Sequence, residues 1–156
     1  MKNKLFITTI SSFLILCSSL SAGQIMISDA YAQSSGPLAK AGAAYMKIMN
    51  HSEGSDLLIG VKSDIAKKTE LHTHVKDDND VMRMVHIDEG IKIGPMKEHG
   101  LVRGGQHIMF MGLKEPFKSG KIISVILLFE KAGEISIEIV VDQDRKDKKQ
   151  SHSHTH

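Results

Sequence analysis

The chain has 156 residues, which is enough for one modest domain and too few for two ordinary ones once processed ends are removed. Apolar residues make up 41% and charged residues 24%, a balance typical of a globular protein and not of a disordered or membrane-embedded one. The formal net charge of +2 excludes the strongly basic surface of a general nucleic-acid binder. Methionine and histidine number nine each beside a single cysteine, so imidazole and thioether donors are unusually frequent.

The N-terminal segment has the pattern of a secretory signal peptide. Basic residues within 2–4 precede a mostly apolar stretch at 5–20 that is too short and too polar to span a membrane. The small-residue pattern Ala-Tyr-Ala at 30–32 predicts cleavage before Gln33, so the predicted signal peptide covers residues 1–32. We therefore expect a periplasmic protein without stable membrane insertion after cleavage.

The single cysteine lies inside the predicted signal peptide. Leu16 stands just before Cys17, where lipid attachment requires a small residue, so lipidation is not expected. The mature chain would then contain no cysteine, and it could form neither a disulfide nor a thiolate metal site.

Residues 41–141 form the predicted domain, between a polar lead-in at 33–40 and a charged tail at 142–156. The domain has short β-prone runs separated by turn signals and no amphipathic helical stretch of comparable length, which predicts an all-β sandwich or barrel. The predicted strands are 43–49, 57–63, 69–75, 81–87, 91–93, 106–113, 121–130 and 134–141, with turns at 51–56, 76–80, 94–105 and 131–133.

Three of the predicted strands carry histidine or methionine at every second position. Residues i and i+2 of a strand point to the same face about 7 Å apart, so these side chains lie next to one another. A lone methionine or histidine is usually an ordinary core or surface residue, whereas three such strands in a cysteine-free mature chain favour a metal site. The same-face sets are His72 with His74, Met82 with Met84, and His107 with Met109 and Met111.

The donor types select the metal. Thioether is a poor ligand for Zn²⁺, Ca²⁺ and Mg²⁺ and a good one for Cu(I), while imidazole suits several transition metals. A site of two methionines and two histidines therefore predicts Cu(I). A blue-copper electron carrier requires a cysteine ligand, so copper is expected as cargo and not as a redox cofactor.

Several segments resemble the PCu(A)C family of periplasmic copper chaperones, and the resemblance covers about residues 41–141. The family spacing of His, Met and His-x-Met falls on His72, Met84, His107 and Met109. The interval from Met84 to His107 is one residue longer than is usual in the family, so Met82 stays an alternative to Met84, with His74 and Met111 in reserve. The segments that carry the resemblance are Tyr45-Met46, Glu70-Leu71-His72, Val81-Met82-Arg83-Met84, 105–114 (GQHIMFMGLK) and 129–134 (FEKAGE).

The resemblance implies a cupredoxin-like Greek-key β fold without a blue-copper centre. It also implies Cu(I) held near the surface and delivered by ligand exchange toward the dinuclear copper site of cytochrome c oxidase subunit II, alongside Sco-type proteins. On this hypothesis the protein is a monomeric copper chaperone, is not an enzyme and binds no nucleic acid.

Two other functions stay open on the sequence. One is a periplasmic copper-sequestering or tolerance protein without a dedicated acceptor, which needs the same donors. The other is an exported copper-dependent redox enzyme. The sequence contains no G-x-S-x-G, H-E-x-x-H or glycine-rich phosphate motif, so nothing in it favours catalysis.

The remaining histidines divide into two groups. The tail ends in alternating His152, His154 and His156 with no apolar residue, which predicts a disordered segment able to capture Cu(II) as a secondary site. The others are expected to be surface or loop residues; they are His51, His86 and His99.

Overall fold

The computed structural model describes residues 24–146, and it confirms the all-β prediction. Within this range no helix is long and apolar enough to cross a membrane. Residues 24–146 form ten strands: β1 (Ile25–Ser34), β2 (Ala41–Asn50), β3 (Asp56–Lys62), β4 (Ala66–Lys76), β5 (Met82–His86), β6 (Ile91–Ile93), β7 (Lys97–Leu101), β8 (His107–Leu113), β9 (Ile122–Phe129) and β10 (Gly133–Val141).

The strands form one open sheet in the order β5-β4-β8-β2-β1-β10-β9-β3-β6, and β7 pairs with β2 beside this path. The β1–β10 pair is parallel, and the other pairs are antiparallel. One buried apolar cluster contains both Leu71 of β4, near one end of the path, and Ile93 of β6, at the other end. The sheet is therefore folded around a single core without closing into a barrel.

Period-two patterning explains which face of each strand enters this core. Ile123, Val125 and Leu127 of β9 are buried and alternate with more exposed neighbours. The turn from β9 to β10 ends at Gly133, whose φ of 78° lies in the left-handed region that glycine adopts without steric cost. The predicted hairpin between the last two strands is confirmed.

The predicted turn at 94–105 is wrong because it contains β7. Lys97–Leu101 pairs with β2, where Leu101 stands opposite Met46. Leu101 is the one buried residue of this strand, and its other positions are polar or glycine. The segment has no alternation of apolar and polar residues that would predict a strand. It is a strand because its backbone pairs with β2.

The predicted start of the domain at residue 41 is also wrong, because β1 belongs to the sheet. This strand lies between β2 and β10, and its residues Tyr31 and Ala32 are buried. Cleavage before Gln33 would remove residues 25–32 from a strand that has partners on both sides. The small residues that resemble a cleavage signal pack in or against the core. Gln33 lies inside β1 and does not begin a polar lead-in.

Residues 142–146 were predicted as the start of a disordered tail, but they contact the sheet. The Arg145 guanidinium lies 4.3 Å from the ring centroid of Tyr31. Gln143 Nε2 donates a hydrogen bond to Ser34 Oγ at 2.7 Å. These contacts fix residues 142–146 against β1. The three tail histidines lie outside the described residues.

Candidate metal centre

Three histidines form a row across three neighbouring strands. His72 of β4 stands directly opposite His86 of β5 on one side and His107 of β8 on the other. The ring centroids of His72 lie 5.7 Å from His86 and 6.2 Å from His107. Directly opposite residues project from the same face of an antiparallel sheet, so the three imidazoles, called here the histidine row, are neighbours.

The methionines flank this row on the same face. Met84 stands opposite His74 and lies two residues from His86, while Met109 stands opposite Glu70 and lies two residues from His107. The alternatives Met82 and Met111 stand opposite Lys76 and Lys68, one same-face position farther from the row. The register thus brings the predicted donors to one face, and of the two β5 methionines it places Met84 nearer to the histidines.

The reserve residue His74 is also close to the row. Its ring centroid lies 5.2 Å from that of His107, which is closer than the ring of His72. His74 Nδ1 is buried and has no hydrogen-bond partner in the structure. The structure therefore brings both β4 histidines within reach of His107.

The centre runs from a closed side to an open side. His107 is 2% exposed and is covered by the ring of Tyr45, whose centroid lies 6.1 Å away. Met84 is 44% exposed because β5 is an edge strand that, among the described residues, pairs with β4 alone. A ligand bound here would contact solvent mainly on the β5 side.

The hydrogen bond of His107 decides which of its nitrogens is available. Burial lowers the pKa of His107, nearby His74 and His72 lower it further, and the hydrogen bond to Gly105 opposes the shift. Nδ1 donates to the carbonyl oxygen of Gly105 at 2.9 Å, since a carbonyl can only accept. The neutral ring therefore carries its lone pair on Nε2, in the arrangement typical of a histidine metal ligand.

The neutral ring of His72 has the opposite tautomer to that of His107. Its Nε2 lies 3.0 Å from Oε2 of Glu70, and the pKa of Glu70 is lowered by this hydrogen bond and by the one from Lys68. A carboxylate accepts, so Nε2 of His72 is the donor and neutral His72 carries its lone pair on Nδ1. This Nδ1 is buried and has no hydrogen-bond partner in the structure.

Two residues of the centre were not among the site residues predicted from the sequence. His86 was expected to be a surface or loop residue; it is exposed, as expected, and it also ends β5 and belongs to the histidine row. Glu70 contacts His72 directly. Both follow the period-two rule, because Glu70 precedes His72 by two residues and His86 follows Met84 by two. Of the other two histidines, His51 is exposed, and His99 lies in β7 and contacts Gln106 Oε1 at 2.7 Å.

A family model described as "Putative lipoprotein LpqE-like" matches residues 25–141. The chain belongs to the LpqE-like family. Its match begins at β1 and ends with β10, in agreement with the domain limits of the structure.

The LpqE-like chain is 36% identical over 87 residues to the "Putative lipoprotein Lxx21020" of Leifsonia xyli subsp. xyli (strain CTCB07). That match covers 56% of this chain and 52% of the relative, so it spans about half the length of the curated protein.

Solved structures similar to the LpqE-like chain are PCuAC domains. The copper-bound PCuAC domain from PmoF2 is 24% identical with a TM-score of 0.63, covering 78% of this chain and 94% of that domain. The solution structure of CuI-DR1885 from Deinococcus radiodurans is 24% identical with a TM-score of 0.58, covering 83% of this chain and 87% of that one. The LpqE-like chain therefore has the cupredoxin-like PCuAC fold, which confirms the resemblance found in the sequence.

Proposed function

We propose that this LpqE-like protein is an exported Cu(I)-binding copper chaperone. Its ligands are His72, Met84, His107 and Met109. The observation that carries the proposal is the placement of these imidazoles and thioethers on one face of three neighbouring strands. Thioethers favour Cu(I) over harder cations. The names of the copper-bound PmoF2 domain and of CuI-DR1885 support copper as the ion.

The tautomer of His107 supports binding in a defined orientation. Its Nδ1 donates to the Gly105 carbonyl, so Nε2 is the nitrogen left to bind a metal. Neutral imidazole and thioether need no deprotonation to bind an ion, and burial disfavours protonation of His107. Cu(I) binding here would not require loss of a proton from His107.

Transfer proceeds by ligand exchange from the open side of the centre. Met84 lies on the edge strand and is half-exposed, whereas His107 is buried, so an acceptor's donor can reach the Met84 side first. Replacement of Met84 comes first and release from His107 comes last. This series of ligand exchanges forms no covalent product and needs no catalytic residue, so it fits a chaperone better than an enzyme.

The destination follows from the family resemblance. We propose delivery toward the dinuclear copper site of cytochrome c oxidase subunit II, alongside Sco-type proteins, in the periplasm. The lipoprotein names of the family and of the Leifsonia relative support export of the chain.

Cu(I) binding is tested on a chain from Gln24 to His156, which lacks Cys17. The three tail histidines are replaced by serine to remove other donors. X-ray absorption of the Cu(I)-loaded protein should show a mixed sulfur and nitrogen shell, and in this cysteine-free chain the sulfur must come from methionine. The double variant Met84→Leu, Met109→Leu should lose the sulfur scattering.

The matched control for that experiment is Met26→Leu, which replaces an exposed methionine of β1 outside the centre. It should leave the sulfur shell unchanged. A shell of nitrogen and oxygen alone in the parent chain would refute the proposed ligands and leave the PCuAC likeness as a statement about fold.

Delivery is distinguished from sequestration in a strain that lacks the gene. Loss of oxidase activity at low copper, restored by added copper, is the expected result for a chaperone. Sensitivity that occurs only at high copper would instead support a tolerance protein without a dedicated acceptor.

A further inference from the structure

A second group of donors lies on the β5 side of His72 and differs in chemistry from the Met/His set. One carboxylate oxygen of Glu70 and one ring nitrogen each of His72 and His86 lie within 4.8 Å of one another. Glu70 Oε2 lies 3.0 Å from His72 Nε2 and 3.8 Å from His86 Nδ1, so it stands between the two rings. Ligand atoms about 2.0–2.2 Å from one ion are roughly 3–4 Å apart, so the group is close to the spacing that a bound ion requires.

The two sides of this group differ in accessibility. The side chains of Glu70 and His72 are only 15% and 12% exposed, which is unusual for a carboxylate. His86 is 41% exposed on the edge strand, which leaves a route for an ion to enter. The other oxygen of Glu70 is occupied by the exposed Lys68, so Oε2 is the oxygen that faces the imidazoles.

The contacts of the two rings identify the nitrogens that a bound ion would use. The ring nitrogens near Glu70 Oε2 are Nε2 of His72 and Nδ1 of His86, and the proton on Nε2 of His72 is the one that a bound ion would replace. His86 has acceptors on both sides, the Leu71 carbonyl at 3.1 Å from Nδ1 and the exposed Asp88 carboxylate at 3.2 Å from Nε2. An ion at this point would take Nδ1 of His86 in place of the Leu71 carbonyl, and Nε2 would donate to the Asp88 carboxylate, as a ligating histidine donates its other N–H to a carboxylate.

We propose that Glu70, His72 and His86 form a second metal site, for a divalent transition-metal ion. Two imidazoles and one carboxylate are the donors of open zinc sites, and the same nitrogen and oxygen donors bind Cu(II). The set contains no thioether, so it selects divalent ions over Cu(I). The site is distinct from the proposed Cu(I) ligands except for His72, which belongs to both.

Zn(II) is the probe, because it accepts these donors and does not change oxidation state. The chain from Gln24 to His156, with its three tail histidines replaced by serine, is titrated with Zn(II) against a chromophoric chelator. One ion per chain is expected. Glu70→Gln and His86→Asn should each weaken binding by at least about 10-fold, the lower end of what is lost when even a hydrogen-bond partner of a ligand is removed.

Matched controls use an acid and a histidine outside the group. Glu98→Gln changes an exposed acid of β7 that pairs with Lys47, and His51→Asn changes an exposed histidine after β2. Both should leave the affinity for Zn(II) unchanged, and so should the double variant Met84→Leu, Met109→Leu. Imidazole NMR signals of His72 and His86 should shift on binding, while the signal of His51 should not.

Two results would overturn the second site. One is the absence of Zn(II) binding in the folded parent chain, and the other is equal affinity in the parent and in His86→Asn. Should Glu70→Gln fail to fold, the edge-strand variant His86→Asn decides alone. Failure of the Cu(I) proposal is recognised separately, because it removes sulfur scattering from the Cu(I) form and leaves the Zn(II) titration as it was.

Discussion

His72 and His107 stand directly opposite each other on β4 and β8, yet their available nitrogens differ. Glu70 holds Nε2 of His72, and the Gly105 carbonyl holds Nδ1 of His107. In the neutral rings the lone pairs are therefore on Nδ1 of His72 and Nε2 of His107. The surroundings of each ring, and not the residue type, determine which atom can bind an ion without losing a proton.

Sharing of His72 predicts competition between two ions. If His72 serves both donor sets, one equivalent of Cu(I) should release Zn(II) from the loaded chain that lacks the tail histidines. Released Zn(II) is measured with a fluorescent chelator under reducing conditions. Simultaneous binding of both ions would contradict the role of His72 in the Cu(I) site and assign that role to His74, whose ring lies 5.2 Å from His107.

The stability of the metal-free protein should fall as the pH drops below about 6.5. Burial lowers the pKa of His107 from its ordinary value of 6.5, so in this window the unfolded chain binds a proton that the folded chain does not. The free energy of unfolding therefore rises with pH there, by at most about 1.4 kcal/mol per pH unit for one proton.

The residue responsible is identified by substitution. In His107→Gln this part of the pH dependence should disappear, whereas His51→Gln, at an exposed position, should keep it. Urea unfolding of chelator-treated protein at pH 7.5 and 5.5 provides the measurement. An unchanged slope in His107→Gln would contradict the assignment.

Processing of the N-terminus should leave β1 intact. Tyr31 and Ala32 are buried between β2 and β10, so the mature chain must begin before Ile25. Intact mass and N-terminal analysis of the exported protein provide the test. A chain that begins at a lipid-modified Cys17 would also meet this expectation, whereas a folded mature protein that begins at Gln33 would contradict it.

Gly42 should tolerate no side chain. A Cβ at this position would lie 2.6 Å from Cε2 of buried Phe117 and 3.1 Å from the Gln33 carbonyl oxygen. Gly42→Ala should therefore lower the free energy of unfolding by about 1–3 kcal/mol, the usual cost of overpacking. Gly36→Ala is the control, since nothing lies within 4 Å of its Cβ. Denaturant unfolding that gives equal stabilities would show that Phe117 moves aside freely.

The tail histidines should add a separate capacity for Cu(II). Replacement of His152, His154 and His156 by serine is expected to lower the Cu(II) stoichiometry of the exported chain by one equivalent. Equilibrium dialysis measures this, and Ser153→Ala serves as the control within the tail. Equal Cu(II) stoichiometry in the parent and the triple variant would contradict the prediction of a secondary site in the tail.

The local features of this protein follow from the order of its residues. Strand geometry places residues two apart on one face, so the pairs on β4, β5 and β8 could be identified without any tertiary information. The β9–β10 hairpin was equally local, because a short glycine-containing turn joins two apolar strands. The type of donor, and with it the expectation of Cu(I), also follows from residue identity alone.

Which strands are neighbours depends on the folding of the whole domain. The pairing of β4 with β8 joins His72 to His107 across the chain, and the pairing of β4 with β5 adds His86 to the row. The strand β1 was hidden because it does not alternate clearly and its small residues imitate a cleavage signal. Its place in the sheet depends on partners at both ends of the chain, β2 and β10. Register between distant strands depends on burial and backbone pairing over the whole sheet, which no local pattern specifies.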